Sequence, residues 1–158
     1  MIRPTDWRLG WGHGPVLILA LTLGIVGSGC ERADGPPSDP ELRASLGIAD
    51  HIPIHQVTLS GSGDRTRVFP AHLQVDRGDV VQFRVMDWRV HRVRFAVDEM
   101  DPDPSEFLRA TGQASPAPLT ELDARLVITF EGAPTGEYHF VVEGFGNPVE
   151  GSIRVRDP

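Results

Sequence analysis

The sequence predicts an all-β sandwich preceded by a targeting segment and a short tether. Two observations carry the sandwich. From residue 56 onward apolar residues recur at a period of two in short runs, the signature of half-buried strands. Clusters of Gly, Pro, Asp and Ser punctuate those runs at close spacing, as turns between strands do. One stretch, 98–118, breaks this rhythm and reads as a short helical insertion between strands. We expect an antiparallel, Greek-key arrangement.

The chain opens with a segment of different character. Met1–Gly14 carries Arg3 and Arg8, Pro15–Val26 is apolar throughout, and Gly27-Ser28-Gly29 supplies small residues before Cys30. A charged start, an apolar stretch and a small-residue exit make a secretory signal, although Asp6 is unusual in the charged region. The apolar run is short for a membrane span, which needs about 18 residues or more. The junction resembles the bacterial lipobox, with Gly27 where that motif has an aliphatic residue. The resemblance implies lipid on Cys30 as the mature N-terminus. Plain secretion and an uncleaved anchor are the alternatives, and all three place the domain outside the cytoplasm, in a bacterial periplasm or on the outer cell surface. The expected division is 1–29 signal peptide, 30–55 tether with a short helix, and 56–158 sandwich.

Glu31–Asp39 is polar and rich in Pro and Gly, as a tether is. Asp39-Pro40 begins a short helix, Glu41–Leu46, stopped by Gly47, with Leu42 and Leu46 on one face. Pro53 argues that His51 and His55 lie in extended chain. Val57 and Leu59 open the first strand, Gly61–Asp64 turns it, and Arg65–Phe69 returns. Leu73 and Val75 alternate next, and Asp76–Asp79 is a turn. Val81, Phe83 and Val85 then face one way, with Gln82, Arg84 and Met86 the other. His91, Val93 and Phe95 share a face, leaving Arg92 and Arg94 toward water. Asp103-Pro104-Ser105-Glu106 predicts a helix start, Phe107–Thr111 its body and Gly112 its stop. Leu126, Ile128 and Phe130 form a strand, and Gly132–Gly136 a turn. Tyr138, Phe140 and Val142 form another strand, Gly144–Gly151 a loop, and Ile153 and Val155 the closing strand.

The order of these pieces resembles the cupredoxin family, the plastocyanin and azurin type. Four stretches carry the resemblance: Phe69-Pro70 with Leu73-x-Val75 and Gly78-Asp79-x-Val81-x-Phe83; Asp87-x-x-x-His91-x-Val93-x-Phe95; Gly136-Glu137-Tyr138-His139-Phe140; and Gly151-Ser152-Ile153-Arg154-Val155. The resemblance implies a copper site of two histidines, a cysteine thiolate and an axial methionine. Its first histidine falls on His91. The cysteine position falls on Val142, the second histidine on Phe145 and the methionine on Val149. Valine has no lone pair to offer a metal, and the chain's single cysteine is Cys30.

The remaining candidates are weaker. Trp88-Arg89 precedes His91 as either a partner contact or a lid over the core end. Met86 and Met100 flank the His91 strand, and thioether with imidazole suits Cu(I). The acidic run Asp98, Glu99, Asp101 and Asp103 reads as a solvated loop. A formal charge of -7 argues against nucleic acid or an anionic membrane face as main partner. No nucleophile–base motif, phosphate loop or carboxylate pair points to catalysis. The expectation is therefore a non-enzymatic, lipid-tethered, copper-free module that binds an envelope protein or a small ligand. Its alternative is a non-blue copper site on His91, serving copper handling or electron transfer.

Overall fold

The computed structural model describes residues 40–158. The signal segment, Cys30 and the tether before Pro40 lie outside the described residues. Helix α1, Pro40–Leu46, begins on its proline and ends at Gly47, whose φ of +65° suits a residue without a Cβ. Leu42 is buried, whereas Leu46 remains exposed, so the two do not share one packed face.

Eight strands follow: β1 Ile54–Ser62, β2 Arg65–Phe69, β3 His72–Asp76, β4 Val80–Val85, β5 Arg92–Phe95, β6 Arg125–Thr129, β7 Gly136–Glu143 and β8 Val149–Arg156. They form two four-stranded sheets, β2-β1-β4-β6 and β3-β8-β7-β5. The expected sandwich is present, but it is not purely antiparallel: β1 pairs β4, and β3 pairs β8, in parallel. Phe69-Pro70, joined by a cis peptide bond, ends β2. Pro70 has no N–H to give a ladder. The chain leaves the first sheet there, runs β3 in the second sheet and re-enters as β4 in the direction of β1.

The inward residues are those that the period of two selects. Val57, Leu59, Val81, Phe83, Val85, Ile128 and Phe130 from one side meet Val75, Val93, Phe95, Tyr138, Phe140, Val142, Ile153 and Val155 from the other, all of them buried. Edge-to-face rings tie the layers: Phe83 to Phe140 and Phe130 to Tyr138, both with centroids 5.1 Å apart. Such pairs add about 1 kcal/mol beyond area burial, a useful increment in a core without a disulfide. The Tyr138 hydroxyl donates to the Pro134 carbonyl at 2.8 Å, and burial pushes its pKa up to about 12.

Helix α2, Pro102–Ala110, is the insertion between β5 and β6. It starts earlier than expected, with Asp101 at the cap instead of Asp103. Asp-Pro occurs twice in succession, and the first copy is the one used. Ser105 and Arg109 then fasten the acidic loop: the Ser105 hydroxyl donates to Val97 O at 2.8 Å, and Arg109 reaches Asp98 at 2.9 Å. Leu108 is fully buried, and Phe107 meets Tyr138 edge to face. The loop expected over Gly144–Gly151 is shorter, because β8 already begins at Val149 opposite Val142.

Candidate functional site

Seven of the eight strands have an end at the pole where β4 stops at Val85 and β5 starts at Arg92. The chain crosses between the sheets there through residues 86–91. One carboxylate organises the crossing. Asp87 Oδ1 accepts from the Arg89 amide at 2.9 Å and from His91 Nε2 at 2.9 Å. Burial disfavours the charge on Asp87. The Arg89 amide, the His91 ring and the Gly61 amide outweigh it and hold the carboxyl below its ordinary value.

His91 is completely buried, and its backbone makes two hydrogen bonds with Leu119, at 2.9 and 2.8 Å. It therefore lies as an isolated bridge just before β5 rather than as the strand's first residue. A carboxylate only accepts, so Nε2 carries the proton toward Asp87. Nδ1 is then left buried with no partner. Its edge faces Gly144, where a Cβ would stand 3.2 Å from Nδ1. The neighbouring Thr66 hydroxyl is already committed, donating to Phe145 O at 3.1 Å.

Arg89 fastens three loops together. Its guanidinium donates to Gly63 O at 2.8 Å in the β1–β2 hairpin and lies over the Phe145 ring at 5.4 Å in the β7–β8 loop. A side chain at Gly61 would collide with it. This staple leaves three apolar side chains in water: Trp88 is 79% exposed, Val90 55% and Phe145 63%. Trp88 is thus no lid over the core. Phe145 lies outside, under Arg89. Met86 and Leu122, also exposed, belong to the same pole.

The residues at this pole do not fit a type 1 copper centre. His91 offers a free Nδ1, but Val142 is sealed in the core, Phe145 projects into solvent and Val149 is paired in β8. What faces the free nitrogen is a glycine and a threonine hydroxyl, a hard neutral oxygen where copper asks for thiolate and imidazole. Two other histidines have side-chain partners away from this pole, and a third stands on a strand's outer face. His55 meets Asp79 at 2.7 Å, His72 meets Ser152 at 3.0 Å, and His139 lies on the outer face of β7, its amide donating to Met100 Sδ at 3.3 Å. Among the described residues no three His, Cys, Asp or Glu side chains converge as metal ligands.

The sequence pointed to His91, Trp88 and Arg89 and missed the roles of Asp87, Thr66 and Gly144. The spacing Asp87-x-x-x-His91 was the available signal for Asp87. Nothing local announces Thr66, in β2, or Gly144, in the β7–β8 loop, which are distant from His91 in the chain.

No family model and no curated protein matches the chain. Solved structures do resemble it. Oxidised plastocyanin from Dryopteris crassirhizoma is 18% identical over 64% of this chain and 99% of its own, with a TM-score of 0.49. A purple cupredoxin from Nitrosopumilus maritimus is 15% identical over 64% and 98%, at 0.42. A copper-containing nitrite reductase from Thermus scotoductus is 24% identical over 65% of this chain but only 23% of its own, at 0.46. These likenesses concern the fold and say nothing of a metal. The sandwich of this chain is cupredoxin-like: the four stretches that carry the sequence resemblance are its strands β2–β4, β5, β7 and β8, in the expected order.

Proposed function

We propose that this chain is an exported, lipid-anchored binding module that works without copper. It engages its partner, an envelope protein or a small ligand, through the apolar pole. The observation that supports this reading is the exposure of Trp88, Val90 and Phe145 on loops stapled by Arg89, above copper positions held by Val142, Phe145 and Val149. Large apolar side chains held rigidly in water favour association, since little conformational freedom remains to be lost when a partner covers them. In this reading Cys30 carries the lipid, residues 1–29 are removed, and the domain stands in the periplasm or on the outer surface. Trp88 and Arg89 form the centre of the contact, because tryptophan and arginine dominate binding energy at interfaces.

A second reading has one observation in its favour, the free and buried Nδ1 of His91. With an incoming ligand from the loops it would hold copper in a non-blue site. Titration of the purified chain with Cu(II) and Cu(I), beside His91→Ala, separates the two. We expect no tight one-to-one binding that the variant loses; such binding would replace the first reading by the second. Cross-linking in cells then tests the pole directly. Trp88→Ala should weaken capture of the partner about 30-fold or more, the effect of losing a central hot spot, and undiminished capture would sink the assignment.

A further inference from the structure

We infer that the outer face of the first sheet, around Arg65, Arg67 and Phe69, docks on the phosphate headgroups of anionic lipids in the membrane that holds the anchor. The inference rests on the lipid-anchor reading above.

The observation is an asymmetry of charge pairing. On the second sheet, Arg94 meets Glu143, Arg154 meets Glu137 and Arg156 meets Asp76. Arg92 lies in register opposite Glu143, which already holds Arg94. Three of the four arginines on this sheet's strands are thus matched by its own carboxylates. On the first sheet the alternation of β2 turns Thr66 inward and Arg65, Arg67 and Phe69 outward. Their cross-strand neighbours on β1 are Ser62, Ser60 and Thr58, which carry hydroxyls and no charge. Neither Arg65 nor Arg67 forms an ion pair among the described residues; Arg84, two strands away from Phe69, is bound to Asp123. The acidic balance of the whole chain therefore does not describe this face.

Two features favour a bilayer over an acidic protein. The surface is a sheet face with short hydroxyl side chains between the arginines, open to close approach by a broad plane of charge. Phe69, 77% exposed beside the guanidinium groups, suits the headgroup–acyl boundary, where aromatic and cationic side chains act together. Arginine binds phosphate through a planar fork of donors, and each basic residue near an anionic surface strengthens attachment about fivefold.

The test uses the full chain carrying Ser62→Cys labelled with an environment-sensitive dye. It is reconstituted in vesicles of phosphatidylcholine alone or mixed with phosphatidylglycerol, with circular dichroism to confirm folding. The chain should float with both vesicle types. The dye should shift to the blue only with phosphatidylglycerol, and Arg65→Glu/Arg67→Glu or high salt should abolish the shift. Equal emission in both vesicles, or a shift that survives charge reversal, overturns the inference. A response to poly-glutamate but not to vesicles overturns it in favour of an acidic protein. Failure to float with phosphatidylcholine would overturn the anchor instead, and adding the same chain to phosphatidylglycerol vesicles would still decide the face.

Discussion

Asp87 holds the candidate pole together, although no side chain there is more conspicuous than His91 or Trp88. One carboxylate oxygen takes the His91 ring and the Arg89 amide, and the Gly61 amide also contributes. Removing it strands several donors at once. Asp87→Ala should cost about 2–4 kcal/mol in urea denaturation, because buried donors lose their acceptor; Asp87→Asn, which keeps one acceptor oxygen, should cost less. A loss below about 0.5 kcal/mol for Asp87→Ala would mean that the loops stand without it. Gly146 is the second critical residue. Its φ of +86° lies in the left-handed region, and a Cβ there would strike the Asp64 carbonyl. Gly146→Ala should destabilise by about 1–3 kcal/mol and displace Phe145 from beneath Arg89, read as lower thermal stability and weaker partner capture. Of these residue roles the sequence discloses few. The turn glycines are visible as punctuation, but the Arg89–Phe145 contact joins side chains far apart in the chain.

At the scale of elements the sequence is more informative, because burial on one face imposes a period that a reader can see. The run Val81, Phe83, Val85 and the run Val93, Phe95 are inward in the structure as their alternation requires. Pairing direction left no such trace. Whether β1 meets β4 in parallel depends on where the chain crosses between sheets, and the alternation of either strand is the same in both cases. The start of α2 was misplaced by two residues because Asp101-Pro102 and Asp103-Pro104 present the same signal, and the Asp101 side chain makes no cap hydrogen bond to distinguish it. The helix is held by packing rather than by its cap, and this yields a test. Leu108→Ala should cost about 2–5 kcal/mol as a core truncation. Glu106→Ala, on the exposed side, should stay within about 0.5 kcal/mol. Similar losses for both would refute a packing-driven helix.

For the whole molecule, the charge inventory sets how stability varies with pH, with opposite signs at the two ends. The carboxyls of Asp87, Asp123 and Glu137 all sit below their ordinary values in the folded chain. For Asp123 the main cause is the Arg84 hydrogen bond, and for Glu137 the Ser152 hydroxyl. The unfolded chain then binds more protons in the acid range, so this stability is present above the ordinary carboxylate values and is lost as pH falls through the folded ones. Tyr138 acts in reverse. Its folded pKa is raised from 10.0 to about 12, so the unfolded chain releases that proton first. Stability is intact below about pH 10 and falls as pH rises toward 12, by on the order of 2 kcal/mol. The composition isolates this effect. The chain has a single tyrosine and no lysine, and arginine keeps its charge throughout. Among the described residues Tyr138 is thus the one side chain that loses a proton between pH 9 and pH 12. Phenolate absorbance reports it directly: the transition should lie near pH 12 in the native protein and near pH 10 in denaturant. Tyr138→Phe should remove the alkaline fall, while its lost hydroxyl costs about 1 kcal/mol at neutral pH. A native transition near pH 10 would mean that water reaches the ring, and that the layer formed by Phe107, Phe130 and Tyr138 is not closed.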